Sequence, residues 1–98
     1  MSYVQIIEFV THDPQKMKDL GEKYVTESAG RSKVKRSMVY HDRAESRRYI
    51  AIVEFESRED AFENDNLPET EDFAEALAEL SEVPLTYRSL ELAHAIVP

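Results

Sequence analysis

The sequence predicts an α+β domain of element order β-α-β-β-α-β, a four-stranded antiparallel sheet with helices on one face only. Three observations carry this. Arg48-Tyr49-Ile50-Ala51-Ile52-Val53-Glu54-Phe55 is a β-branched and aromatic run too short for a typical helix, hence a strand. Two helical stripes, one before and one after the hairpin of strands two and three, repeat apolar residues at three- and four-residue spacing. Both faces of the central strand are mostly apolar, Tyr49, Ala51, Val53 and Phe55 on one and Ile50 and Ile52 beside Glu54 on the other. A strand with one wet face would alternate. Helices cover one face, and the other calls for a second copy of the chain.

The elements follow in order. Val4 to Val10 forms a first strand, with Val4 and Ile6 on one face and Ile7 and Phe9 on the other. Asp13-Pro14 starts a helix, Asp as N-cap and Pro at the first helical position. Met17, Leu20, Tyr24 and Val25 make its buried stripe, and Gly30 ends it. Val34 to His41 is the second strand, with Val34, Arg36, Met38 and Tyr40 on a shared face, and a polar turn, Asp42 to Arg47, joins it to the third as a hairpin. Ser57 caps the next helix, with Asp60 three residues on and Ala61 and Phe62 facing inward. Pro68 breaks that helix. Thr70 restarts it as a cap, and Phe73, Leu77 and Leu80 form the second stripe. Leu85 to Ile96 completes the sheet, with Leu90, Leu92, His94 and Ile96 on one face. This order is the split βαβ of ferredoxin-like folds. Residues 1–98 form one domain, without repeats or low-complexity segments.

A chain of 98 residues buries only about two-thirds of its unfolded surface, so a dimer interface is a natural supplement to its core. The absence of Cys excludes disulfides, thiolate metal ligation and thiol catalysis. No signal-peptide pattern and no membrane-length apolar run is present, and a cytoplasmic location is expected. The net charge of −8 is unevenly spread: residues 31–48 sum to +5 and residues 54–82 to −11. Two solvated faces of opposite sign would explain it. The sharper reading sets the basic hairpin of one subunit near the acidic helices of another.

Ile52-Val53-Glu54-Phe55-Glu56-Ser57-Arg58-Glu59-Asp60-Ala61-Phe62, a central strand running into a capped helix, resembles the dimeric α/β-barrel superfamily, in particular its antibiotic-biosynthesis-monooxygenase-like branch. The broken helix through Pro68-Glu69-Thr70 to Phe73-Ala74 is similar to that group as well. The resemblance implies a homodimer through the open sheet face and a ligand between each sheet and its own helices. Haem-degrading members use an Asn on strand one, a Trp on the second helical region and a His ligand. Here strand one has no Asn, the chain has no Trp, and Glu75-Ala76 lies where the His is expected. Quinone-forming members carry an Asn and a Trp four apart on strand three, where this chain has Ala51 and Phe55. The third strand also resembles that of RNA-recognition domains, but Ile50 and Ile52 occupy the positions of the stacking rings. With the acidic balance, this argues against a nucleic-acid partner.

Candidate site residues fall into two groups. For proton transfer there are His12, in the loop after strand one, and Glu8 and Glu54, carboxylates in line with apolar neighbours on the central strands. Equally, His12 could be a solvated loop residue, and the carboxylates could be structural ion pairs with Arg36, Arg48 or Arg88. For binding a small apolar or aromatic metabolite there are Tyr49, Phe55, Phe62, Asn64 and Phe73. His41 is read as a surface partner of Asp42, and His94 as a core or interface histidine. No residue set suggests a metal or a cofactor. The expected function is metabolite binding in the sheet–helix cleft, with monooxygenase-like or isomerase-like chemistry that needs no cofactor. A non-catalytic dimerisation module is the alternative, and an RNA binder a minor third.

Overall fold

A computed structural model describes residues 2–98. The order is β1 (Tyr3–Val10), α1 (Pro14–Glu27), β2 (Arg36–His41), β3 (Arg48–Phe55), α2 (Arg58–Asp65), α3 (Pro68–Leu80) and β4 (Thr86–Glu91). The strands form one antiparallel sheet in the order β2-β3-β1-β4, so the two most apolar strands are central, as expected. This is the ferredoxin-like α+β fold.

Register explains the layering. Tyr3 to Val10 of β1 pair with Phe55 to Arg48 of β3, which places Ile7 opposite Ala51 and Phe9 opposite Tyr49. Side chains alternate along a strand, so odd-numbered residues of both strands share the helix side. The core is built there from Ile7, Phe9, Ala51 and Leu77, with Phe55 and Ala61 buried nearby. Even-numbered residues line the opposite side in rows: Arg36, Glu54, Val4, Leu90; then Met38, Ile52, Ile6, Arg88; then Tyr40, Ile50, Glu8, Thr86. Among the described residues no helix or strand crosses that side, and its centre is apolar.

The caps act as their chemistry dictates. The Asp13 carboxylate accepts from the Lys16 N–H at 3.0 Å with Pro14 as the first helical residue, and the Ser57 hydroxyl accepts from the Asp60 N–H at 3.1 Å. Gly30 takes φ +83°, the left-handed turn that leads out of α1.

Several local expectations are corrected. Phe62 points to solvent at 70% exposure, because α2 is short and offers only Ala61 and Asn64 to the interior. Pro68, not Thr70, begins α3: Leu67 occupies the cap without a side-chain hydrogen bond, and Pro needs no N–H at that position. β2 starts at Arg36, and Val34 turns to the helix side. β4 ends at Glu91, so Leu92, His94 and Ile96 lie beyond the sheet; β4's only neighbour, β1, starts at Tyr3, opposite Glu91, and offers no longer ladder. The basic hairpin finds partners within its own chain. Arg31 meets Glu69 at 2.7 Å, Lys33 Glu63 at 3.8 Å, Lys35 Glu56 at 2.9 Å and Arg36 Glu54 at 3.0 Å.

Candidate functional site

α1 stands off the sheet. None of its residues is fully buried, although Met17, Tyr24 and Val25 lie on its inner side or edge. Between it and the sheet runs a trough of two adjoining chambers, about 760 and 530 Å³, which share Ile7, Gly21, Val25, Ser37, Val53 and Phe73. Gly21 belongs to this geometry. A Cβ there would meet nothing within 4 Å, so the residue is not required for packing. A glycine inside a helix costs about 0.5–1 kcal/mol relative to alanine, and its missing side chain leaves the trough open at its middle.

One end of the trough is aromatic. Cross-strand register stands His41, Tyr49 and Phe9 side by side on β2, β3 and β1. The His41 and Tyr49 rings stack at 4.6 Å and 14°, and Tyr49 and Phe9 at 5.8 Å and 18°. His41 Nε2 lies 2.7 Å from the Ser46 carbonyl oxygen. A carbonyl can only accept, so Nε2 carries the proton, and in the neutral ring Nδ1 holds the lone pair. His41 lines the trough with its Nε2 anchored, although the residue itself is exposed.

The other chamber ends at a polar knot. Asn64, buried, accepts the Lys33 N–H at 2.9 Å through Oδ1 and donates through Nδ2 to Tyr24 Oη at 2.9 Å; Tyr24 Oη also lies 3.1 Å from Thr70 Oγ1. These bonds tie the turn after α1 to the α2–α3 junction and hold the roof of the trough.

The sequence-derived candidates separate. Tyr49 and Phe73 line the trough. Phe55 is fully buried and lines neither chamber, Phe62 is outside, and Asn64 spends its amide on the knot. Of the proton-transfer candidates none reaches the trough. His12 is exposed and pairs with Glu82 at 2.9 Å. Glu8 and Glu54 occupy the opposite side of the sheet, because even-numbered positions of β1 and β3 point away from the helices. Glu8 accepts from Thr86 Oγ1 at 3.2 Å. The Ser2 hydroxyl, with help from Arg36, holds the Glu54 carboxyl below the usual carboxylate range. His41, read from the sequence as a surface partner of Asp42, lines the trough. Its signal was its phase with Ser37 and Val39, but without the hairpin register nothing placed it opposite Tyr49 rather than beside Asp42.

No known family model matches the chain. No curated protein matches it in sequence. Solved structures match it closely in shape. A single-residue variant of SnoaB, a cofactor-independent oxygenase from Streptomyces nogalater, superposes with a TM-score of 0.80 at 16% identity, over 97% of this chain and 96% of that one. Rv0793 from Mycobacterium tuberculosis gives 0.76 at 13% identity, over 99% and 100%. A protein described as an antibiotic biosynthesis monooxygenase gives 0.73 at 10% identity, over 96% and 100%. Its ferredoxin-like fold is thus the fold of the antibiotic-biosynthesis-monooxygenase-like proteins.

Proposed function

We propose that the protein is a homodimer that binds a small apolar or aromatic metabolite in the trough beneath α1, and that His41 takes a proton from it. The observation that carries this reading is the roomy apolar trough with one oriented imidazole in its wall. Neutral His41 accepts the proton of a phenolic O–H, or of a C–H beside a carbonyl, at Nδ1, while Nε2 stays anchored on Ser46. The resulting anion is reprotonated at another carbon, an isomerisation, or its carbanion form adds to dioxygen as a hydroperoxide that loses water to leave a carbonyl. The substrate then supplies all four electrons, one oxygen atom stays in the product and the other leaves as water. The likeness in fold to a cofactor-independent oxygenase supports chemistry that needs no added cofactor. The dimer is supported by the apolar centre of the sheet side that no described helix or strand covers.

Gly21→Leu tests the site, because leucine is a good helix former and its side chain would project into the trough. Wild-type protein should release an apolar small molecule on denaturing extraction, or bind the dye 8-anilinonaphthalene-1-sulfonate, and the variant should do neither. Equal binding by both proteins would refute the trough as the site. His41→Gln should bind as wild type does but lose any turnover. A variant with full activity would remove His41 from the chemistry and leave a binding protein.

A further inference from the structure

The open side of the sheet carries two opposite charges among its apolar residues. Antiparallel register puts Glu8 of β1 and Arg88 of β4 there, in neighbouring rows beside Ile6, Ile50, Ile52 and Met38. Among the described residues neither forms an ion pair, and Glu8 accepts only the Thr86 hydroxyl, at 3.2 Å. Arg36 and Glu54, on the same side, are joined to each other at 3.0 Å. A charge on an apolar face is tolerable while water reaches it. Once a second surface covers it, it is costly unless that surface brings the opposite charge.

We infer that Glu8 of one protomer pairs with Arg88 of the other, twice across the two-fold axis, and that this reciprocal pair sets the register of the homodimer. The inference rests on the homodimer proposed above and names what fixes its geometry. A second copy is the occupant whose charges fit. It brings the same carboxylate and the same guanidinium, and an isologous interface joins each to the other in both directions.

Positions agree as well. The centre of the patch lies midway between β1 and β3, at the row of Ile6 and Ile52. With strands about 4.8 Å apart and same-side residues about 6.8 Å apart along each strand, Glu8 and Arg88 both lie about 7 Å from that centre. Sites at equal distance exchange places under a two-fold axis that lies between the sheets and runs midway between them. Each carboxylate then lands over the other copy's guanidinium. Glu54 is as far out as Glu8 but is held by Arg36 and the Ser2 hydroxyl. Arg48, opposite Val10, lies about 14 Å out, too far to meet Glu8 under an axis through the centre. Isoleucines alone would let the two sheets slide. A slipped register leaves both charges covered and unpaired, so the pair selects one arrangement.

The experiment reverses charges in the full chain. Glu8→Arg makes both positions cationic, and Arg88→Glu makes both anionic. Each variant alone should keep the native circular dichroism and, by sedimentation, dimerise at least about a hundredfold more weakly than wild type, because like charges then meet twice. Mixed in equal amounts, the two should form a heterodimer, identified by its mass, within about tenfold of wild-type affinity, since every charge meets its opposite. A mixture no tighter than its components would overturn the pair, because a bond within one chain is not mended by a second chain. Wild-type affinity in either single variant would also overturn it and leave the dimer standing on its apolar centre. Wild-type protein that is monomeric at every concentration would overturn pair and dimer together. The milder Glu8→Gln and Arg88→Gln should each weaken the dimer, and both together no more than either alone; additive losses would again refute the pairing.

Discussion

Asn64 joins one backbone N–H and one side chain with a single amide, receiving Lys33 N–H and giving to Tyr24 Oη while buried to 3% exposure. Asn64→Ala leaves the Lys33 amide without its acceptor and takes one of the partners of Tyr24 Oη, and should lower unfolding stability by about 1–3 kcal/mol in urea. Tyr24→Phe should cost about 1 kcal/mol, and the double variant less than the sum, because the two share bonds. The sequence marked Asn64 as turn chemistry or a ligand contact. Its role as a knot depends on Tyr24, forty residues away, which periodicity alone assigns to an apolar stripe. Likewise Phe62 looks like core by its aromatic ring, and only the short length of α2 turns it outward.

Helices and strands were the most legible level. Asp13-Pro14 and Ser57 announce their helices by local hydrogen bonding, which needs no tertiary partner. Asp13→Ala should therefore destabilise the fold by about 1 kcal/mol, read as a lowered urea midpoint with an unchanged slope. α1 also carries Gly21 facing open space. Gly21→Ala should raise stability by about 0.5–1 kcal/mol, since alanine is the better helix former and nothing obstructs its methyl. A gain in stability with weaker binding of an apolar dye would mark the glycine as serving the trough.

At the level of the whole molecule, four carboxyls sit below the usual carboxylate range: Glu54 beside the Ser2 hydroxyl and Arg36, Glu56 beside Lys35, Glu69 beside Arg31 and Glu82 beside His12 and Arg47. A depressed folded-state pKa stabilises the protein above the ordinary carboxylate pKa, and that contribution disappears as pH falls through the folded value. The thermal midpoint should therefore fall as pH drops below about 4.3, and Glu54→Gln should flatten part of that decline. In the homodimer proposed above, the apolar sheet side is the interface. Ile52→Asp, at its centre between Met38 and Ile6, should yield a monomer of native circular dichroism; a dimer of wild-type affinity would place the interface elsewhere. Of the seven basic residues from 31 to 48, five pair with carboxylates of the same chain, Glu69, Glu63, Glu56, Glu54 and Glu82.

From its sequence alone the protein is a βαββαβ sheet-and-helix domain with one apolar sheet side in excess. Those properties come from periodicity and capping, which act within a few residues of each position. The trough, the stacking of His41 on Tyr49 and the knot at Asn64 emerged only in three dimensions. Each depends on which residues of separate segments lie opposite one another, and on how far α1 stands from the sheet. Hydrophobic pattern specifies that a helix covers a face, but not the gap it leaves.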